Sequence, residues 1–160
     1  MRKAKEPPSF HQYFEKLADN QPLDLVLRGH LVVEALLVEI VQLTRPGDVV
    51  WRWNFGEKLQ HCVTQGYIPV VQAACYNRLN DIRNDFAHIL GHRLTYDELF
   101  QYAREMAAAG FDFSEDSVYA DRQRSEEWYG YEGCMLEILN NLSIQLAMTL
   151  HEKGGPDRMD

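Results

Sequence analysis

The run from Leu23 to Leu43 constrains the fold more than any other stretch of the chain. Its one residue unfavourable to helix is Gly29. At about 100° per residue, Leu23, Val26, Leu27, His30, Glu34, Leu37, Val38 and Val41 share a face, while Leu25, Val32 and Leu36 add apolar surface on the far side. A helix apolar nearly all round is buried on more than one side. The run therefore predicts the central helix of a bundle or a helix at a subunit interface. His30 and Glu34 lie near the middle of its face, four residues apart and able to touch. A buried glutamate is costly without a partner. Glu34 is either a structural partner for His30 or a core arginine, or a supporting residue that orients Arg83.

The rest of the chain also reads as helices. Pro7-Pro8-Ser9 is a start signal, and Phe10, Tyr13, Phe14 and Leu17 recur at helical spacing before Asn20 and Pro22 close a short segment. Thr44 to Asp48 is turn chemistry. The aromatic stretch Val49 to Phe55 reads as a loop or short helical turn whose Trp51, Trp53 and Phe55 cover the bundle. A helix over Glu57 to Thr64 ends at Gly66, and Pro69 opens the next one, with Leu79, Ile82 and Phe86 as its buried stripe. Thr95-Tyr96-Asp97-Glu98 has the form of a capping box and starts a helix that stops at Gly110. Residues 111–123 read as a loop. Ser125-Glu126-Glu127 then reads as the start of a long last helix through Leu150, followed by a mobile tail from about Gly154. The expectation is one all-α domain over residues 1–160, an up-and-down bundle of about five or six helices.

The sequence has 160 residues, enough to bury a core without disulfides or a metal. Cys62, Cys75 and Cys134 are odd in number and widely spaced, which suits reduced structural thiols. No apolar run approaches the ~20 residues of a membrane span, and the N-terminus lacks the apolar region of a secretory signal. A cytoplasmic protein with no membrane partner and no cofactor is expected. The net charge of −8 argues against a broad nucleic-acid surface, so any RNA contact must be local. No helix-turn-helix with a basic recognition face is evident.

The chemistry concentrates in Tyr76 to Leu90. There Arg83 and His88 flank Asn84-Asp85-Phe86-Ala87. Arginine offers a fixed fork of donors to a phosphate. Histidine takes and returns a proton near neutrality. Asn84 is a candidate to hold the phosphate or orient the histidine, and Asp85 a weaker one, because a carboxylate repels phosphate. On a regular helix, however, five residues carry His88 about 140° round from Arg83. Convergence needs a bent or ending helix near Gly91, or a second subunit. The alternative is structural: Arg83 pairs with Glu34 or Asp85, and His88 caps the helix. A zinc site on His88 and His92 would need helix through Gly91 and a third ligand that the sequence does not supply.

The pattern Arg83-Asn84-x-x-x-His88 late in a helix resembles the signature of the HEPN superfamily. Arg28 to Leu37, Phe55 to Leu59, Gly66-Tyr67-Ile68 and Ile82 to His88 together resemble its mannitol-repressor-like branch, over roughly residues 24–95. The resemblance implies a two-fold homodimer whose copies of the motif meet in one cleft. It also implies one of two functions. The first is a metal-independent endoribonuclease of toxin or defence type, with Arg83 and His88 catalytic, Asn84, Asp85, Glu34 and His30 supporting, RNA as substrate, no metal, and a protein partner such as an antitoxin. The second is a non-catalytic dimeric regulator or interaction module, acting in transcription regulation through another protein.

Overall fold

The structure, a computed structural model, describes residues 21–89 and 91–159. The short helix expected over Phe10 to Leu17 lies outside the described residues. Among the described residues all regular structure is helical: α1 (Gln21–Gln42), a 3-10 turn (Asp48–Arg52), α2 (Phe55–Thr64), α3 (Val70–His88), α4 (Tyr96–Ala108), α5 (Ser117–Ala120) and α6 (Arg122–Glu152). None of these helices is long and apolar enough to cross a membrane.

Helix α1 packs against α2, α3 and α6, as its apolar girth requires. Val33, Leu37 and Ile40 are fully buried. The burial is not complete, because Leu31 and Val32 remain exposed. Gly29 has a packing role within this helix: a Cβ there would come within 2.5 Å of the Leu139 methyls, so its absence lets α6 approach closely. The core continues through Tyr76 and Leu79 of α3, Leu99, Tyr102 and Met106 of α4, and Ile138, Leu142 and Leu146 of α6. Its two large phenols are satisfied: Tyr76 Oη donates to the Leu142 carbonyl at 3.2 Å and Tyr102 Oη to the Cys75 carbonyl at 2.6 Å. Cys62, Cys75 and Cys134 are buried free thiols.

Local chemistry sets the helix starts. Thr95 accepts from the Glu98 amide while the Glu98 carboxylate accepts from the Thr95 amide, the capping box read from the sequence. A second box, Asn54 with Glu57, starts α2 two residues earlier than expected. The start of α6 also differs from expectation. Asp121 accepts from the Arg124 amide and begins the helix at Arg122, which leaves Ser125 inside it, buried and bonded to the Val118 carbonyl. The stretch 111–123 contains α5 and buries Phe111, Phe113 and Val118. In the aromatic turn Val50 and Phe55 are buried and Trp53 packs against the core, whereas Trp51 is 62% exposed. After α6, Arg158 Nε donates to Glu39 on α1 at 3.1 Å.

Candidate functional site

The face of α3 turned towards α1 carries Asn80, Arg83 and Asn84, which follow one another at helical spacing. From α1, His30 and Glu34 point into the same seam, and α2 adds Lys58. Of these, His30, Asn80, Glu34 and Lys58 form a connected polar cluster. His30 Nε2 lies 3.2 Å from Asn80 Oδ1 and donates to it. His30 Nδ1 lies 3.8 Å from Glu34 Oε2. Lys58 Nζ donates to Glu34 Oε1 at 2.6 Å. Phe55 lies against the imidazole with ring centroids 4.8 Å apart.

His30 and Lys58 are almost wholly buried, whereas Glu34 is 28% exposed. Burial is the main cause that lowers the His30 pKa below its ordinary 6.5. The bond to Asn80 and the charge of Glu34 oppose that shift, and the charges of Arg83 and Lys58 reinforce it. His30 is therefore a neutral imidazole at neutral pH, protonated on Nε2 by virtue of Asn80, with its Nδ1 lone pair towards Glu34. Arg83 is near enough to act on it through charge.

The sequence-derived candidates thus fall into two groups. Arg83, Asn84, His30 and Glu34 belong to the α1–α3 seam. Arg83 is half-buried, and its one hydrogen bond among the described residues runs from Nη1 to Asn84 Oδ1 at 3.0 Å. Glu34 takes Lys58 as its close partner, which the sequence reading had not named, with neutral His30 3.8 Å away. His88 stands apart. Helix α3 stays helical to His88 and ends there, with Ile89 in extended conformation bonded to the Asp85 carbonyl. The 140° divergence from Arg83 is therefore retained. His88 is exposed and makes no hydrogen bond among the described residues. Gly91 takes a left-handed φ of 72° just beyond, and His92 packs edge-on to Phe86 at 4.9 Å. Among the described residues no group of three His, Cys, Asp or Glu side chains could hold a metal ion.

Lys58 and Asn80 were missed as members of the site. Lys58 carried a signal: it falls among Phe55, Leu59 and Cys62 on the buried face of α2, where a lysine requires a carboxylate. Asn80 carried a weaker one, one turn before Arg83.

The arrangement defines an all-helical protein with a buried polar seam that ends at a half-buried guanidinium. Comparison with protein-family models, curated proteins and solved structures gave no match.

Proposed function

We propose that the chain is a HEPN-like protein that acts as a metal-independent endoribonuclease of toxin or defence type, arranged as an up-and-down bundle in a two-fold dimer. The observation that carries this reading is that, among the described residues, neither chemical group of the motif is consumed by a structural ion pair. Among the described residues Arg83 is bonded only to a neutral amide, Glu34 is taken by Lys58, and His88 projects from the end of α3 without a hydrogen-bond partner. A half-buried guanidinium keeps donors for phosphate, and an exposed imidazole keeps both nitrogens for proton transfer. Because the two diverge on one helix, Arg83 of one protomer works with His88 of its partner across the two-fold axis.

In this reaction His88 removes the proton of a ribose 2′-hydroxyl, whose oxygen attacks the adjacent phosphorus. The 5′-oxygen leaves with a proton supplied by an imidazolium, giving a cyclic phosphate end. Arg83 stabilises the charge that gathers on the phosphorane oxygens, and the Asn84 amide N–H groups reach the same phosphate. Purified protein incubated with structured and single-stranded RNA in EDTA, wild type beside His88→Ala, tests the reading. Cleavage with cyclic-phosphate ends by wild type alone is the expected result, and undiminished cleavage by His88→Ala overturns the mechanism.

A second reading is favoured by the same divergence of Arg83 and His88 and by the acidic balance of the chain. In it the protein is a non-catalytic dimeric regulator of mannitol-repressor-like type, and the seam is a structural polar knot. Retention of one protein partner by both wild type and His88→Ala, with no RNA cleavage by either, is its expected outcome.

A further inference from the structure

Arg83 and His30 lie close enough on facing helices for the guanidinium charge to act on the imidazole. His30 bonds to the Asn80 side chain, and Arg83 follows Asn80 by one turn on the same face of α3. The guanidinium has five N–H donors, and among the described residues its one bond is to the neutral Asn84 oxygen. The carboxylate of the seam, Glu34, is held at 2.6 Å by Lys58. Among the described residues Arg83 is thus the cation of this seam without a carboxylate, half-buried, and suited to a tetrahedral oxyanion.

We propose that an oxyanion on Arg83 and a proton on His30 bind cooperatively: a phosphate or sulfate group received by Arg83 draws a proton onto His30 Nδ1, which then faces Glu34. The inference rests on the reading of Arg83 as the phosphate-receiving group and requires no catalysis.

The charges around His30 set the sign. Glu34 on its own helix favours the imidazolium, while Lys58 from α2 and Arg83 from α3 oppose it. Lys58 is largely balanced by its contact with Glu34, which leaves Arg83 as the main opposing charge. An anion on Arg83 cancels that charge, so it raises the proton affinity of His30. By reciprocity the proton raises the affinity for the anion by the same factor. His30 is neutral in the empty site, so anion binding takes up a proton. Affinity then rises as pH falls towards the depressed His30 pKa and is flat well above it. The 3.8 Å between Nδ1 and Glu34 leaves room for the carboxylate to close on the new N–H.

The test is an NMR titration of the His30 ring, assigned with His30→Gln, in chloride and in sulfate at equal ionic strength. Sulfate stays a dianion throughout the window. A fivefold coupling, the lower end of the usual range, moves the His30 midpoint up by about 0.7 pH in sulfate. In Arg83→Gln the midpoint is already raised in chloride and no longer responds to sulfate. Should that variant fail to fold, a wild-type response that saturates with sulfate at fixed ionic strength supports the linkage, and an unsaturable one overturns it. A wild-type midpoint unmoved by sulfate, or moved equally in Arg83→Gln, also overturns it. If RNA is cleaved and the midpoint does not move, the nuclease reading survives and the linkage falls. If nothing is cleaved and the midpoint moves, the linkage survives and the nuclease falls.

Discussion

Lys58, 3% exposed, places its ammonium 2.6 Å from Glu34 Oε1, so the carboxylate of the central helix is bound to α2 rather than to the arginine of the motif. Removing one partner of a buried pair typically costs 3–5 kcal/mol because the other charge is left uncompensated. Glu34 is part-exposed, so water moderates that penalty. Glu34→Gln is expected to destabilise the fold by roughly 2–3 kcal/mol, and Lys58→Met by less, since the carboxylate left behind can reach water. The double variant Glu34→Gln/Lys58→Met regains most of the loss. Urea denaturation of the four proteins checks this; simple additivity of the two single losses would show that the pair carries no coupling.

The buried His30 makes stability depend on pH in a definite direction. Its folded pKa lies below 6.5 because burial disfavours the imidazolium, while the unfolded chain titrates near 6.5. Below that value the unfolded state binds the extra proton and the folded state does not, so the unfolded state gains. The contribution of His30 is fully present above about pH 6.5 and is lost as pH falls from there towards the folded pKa. His30→Gln removes this slope. His61, whose pKa is also lowered by burial and by Arg45, retains a smaller one. Denaturation midpoints compared at about pH 7.5 and pH 5.5 should fall for wild type and fall less for His30→Gln; equal falls would assign the acid sensitivity to other groups.

The contrast between caps and seam shows which parts of this molecule could be read from its sequence. The Thr95–Glu98 box was legible because donor and acceptor lie three residues apart, and all-helical structure followed from apolar spacing within single segments. The His30–Glu34 proximity was legible for the same reason, being a four-residue relation on one helix. The partner of Lys58 lies 24 residues away and that of His30 lies 50 residues away, so neither pairing has a local signature. Gly29 looked like a weak point in a helix and is a point of close approach, a property fixed by Leu139 of a distant element. The divergence of Arg83 and His88 could be computed from spacing alone, whereas the pairing of Glu34 with Lys58 and not with Arg83 depended on where α2 packs.

Gly130 interrupts α6, which the sequence reading had as one continuous helix from Ser125 to Leu150. Its φ of 59° and ψ of −170° lie in a region open essentially to glycine alone. The turn re-aims the first two turns of α6 so that Arg122 reaches Asp97 and Ser125 reaches the Tyr96 hydroxyl at 2.7 Å. Just past it the Tyr131 hydroxyl is buried without a hydrogen-bond partner among the described residues. No neighbouring atom would meet a Cβ at Gly130, so an alanine there is opposed by backbone strain and not by crowding. Gly130→Ala should cost about 1–3 kcal/mol if the kink is kept. If the helix straightens instead, the Tyr96–Ser125 contact breaks and amides of the segment 122–129 lose protection against hydrogen exchange. Hydrogen exchange read alongside urea denaturation separates the two, and an alanine variant with wild-type stability and wild-type protection would show that nothing in the fold depends on this turn.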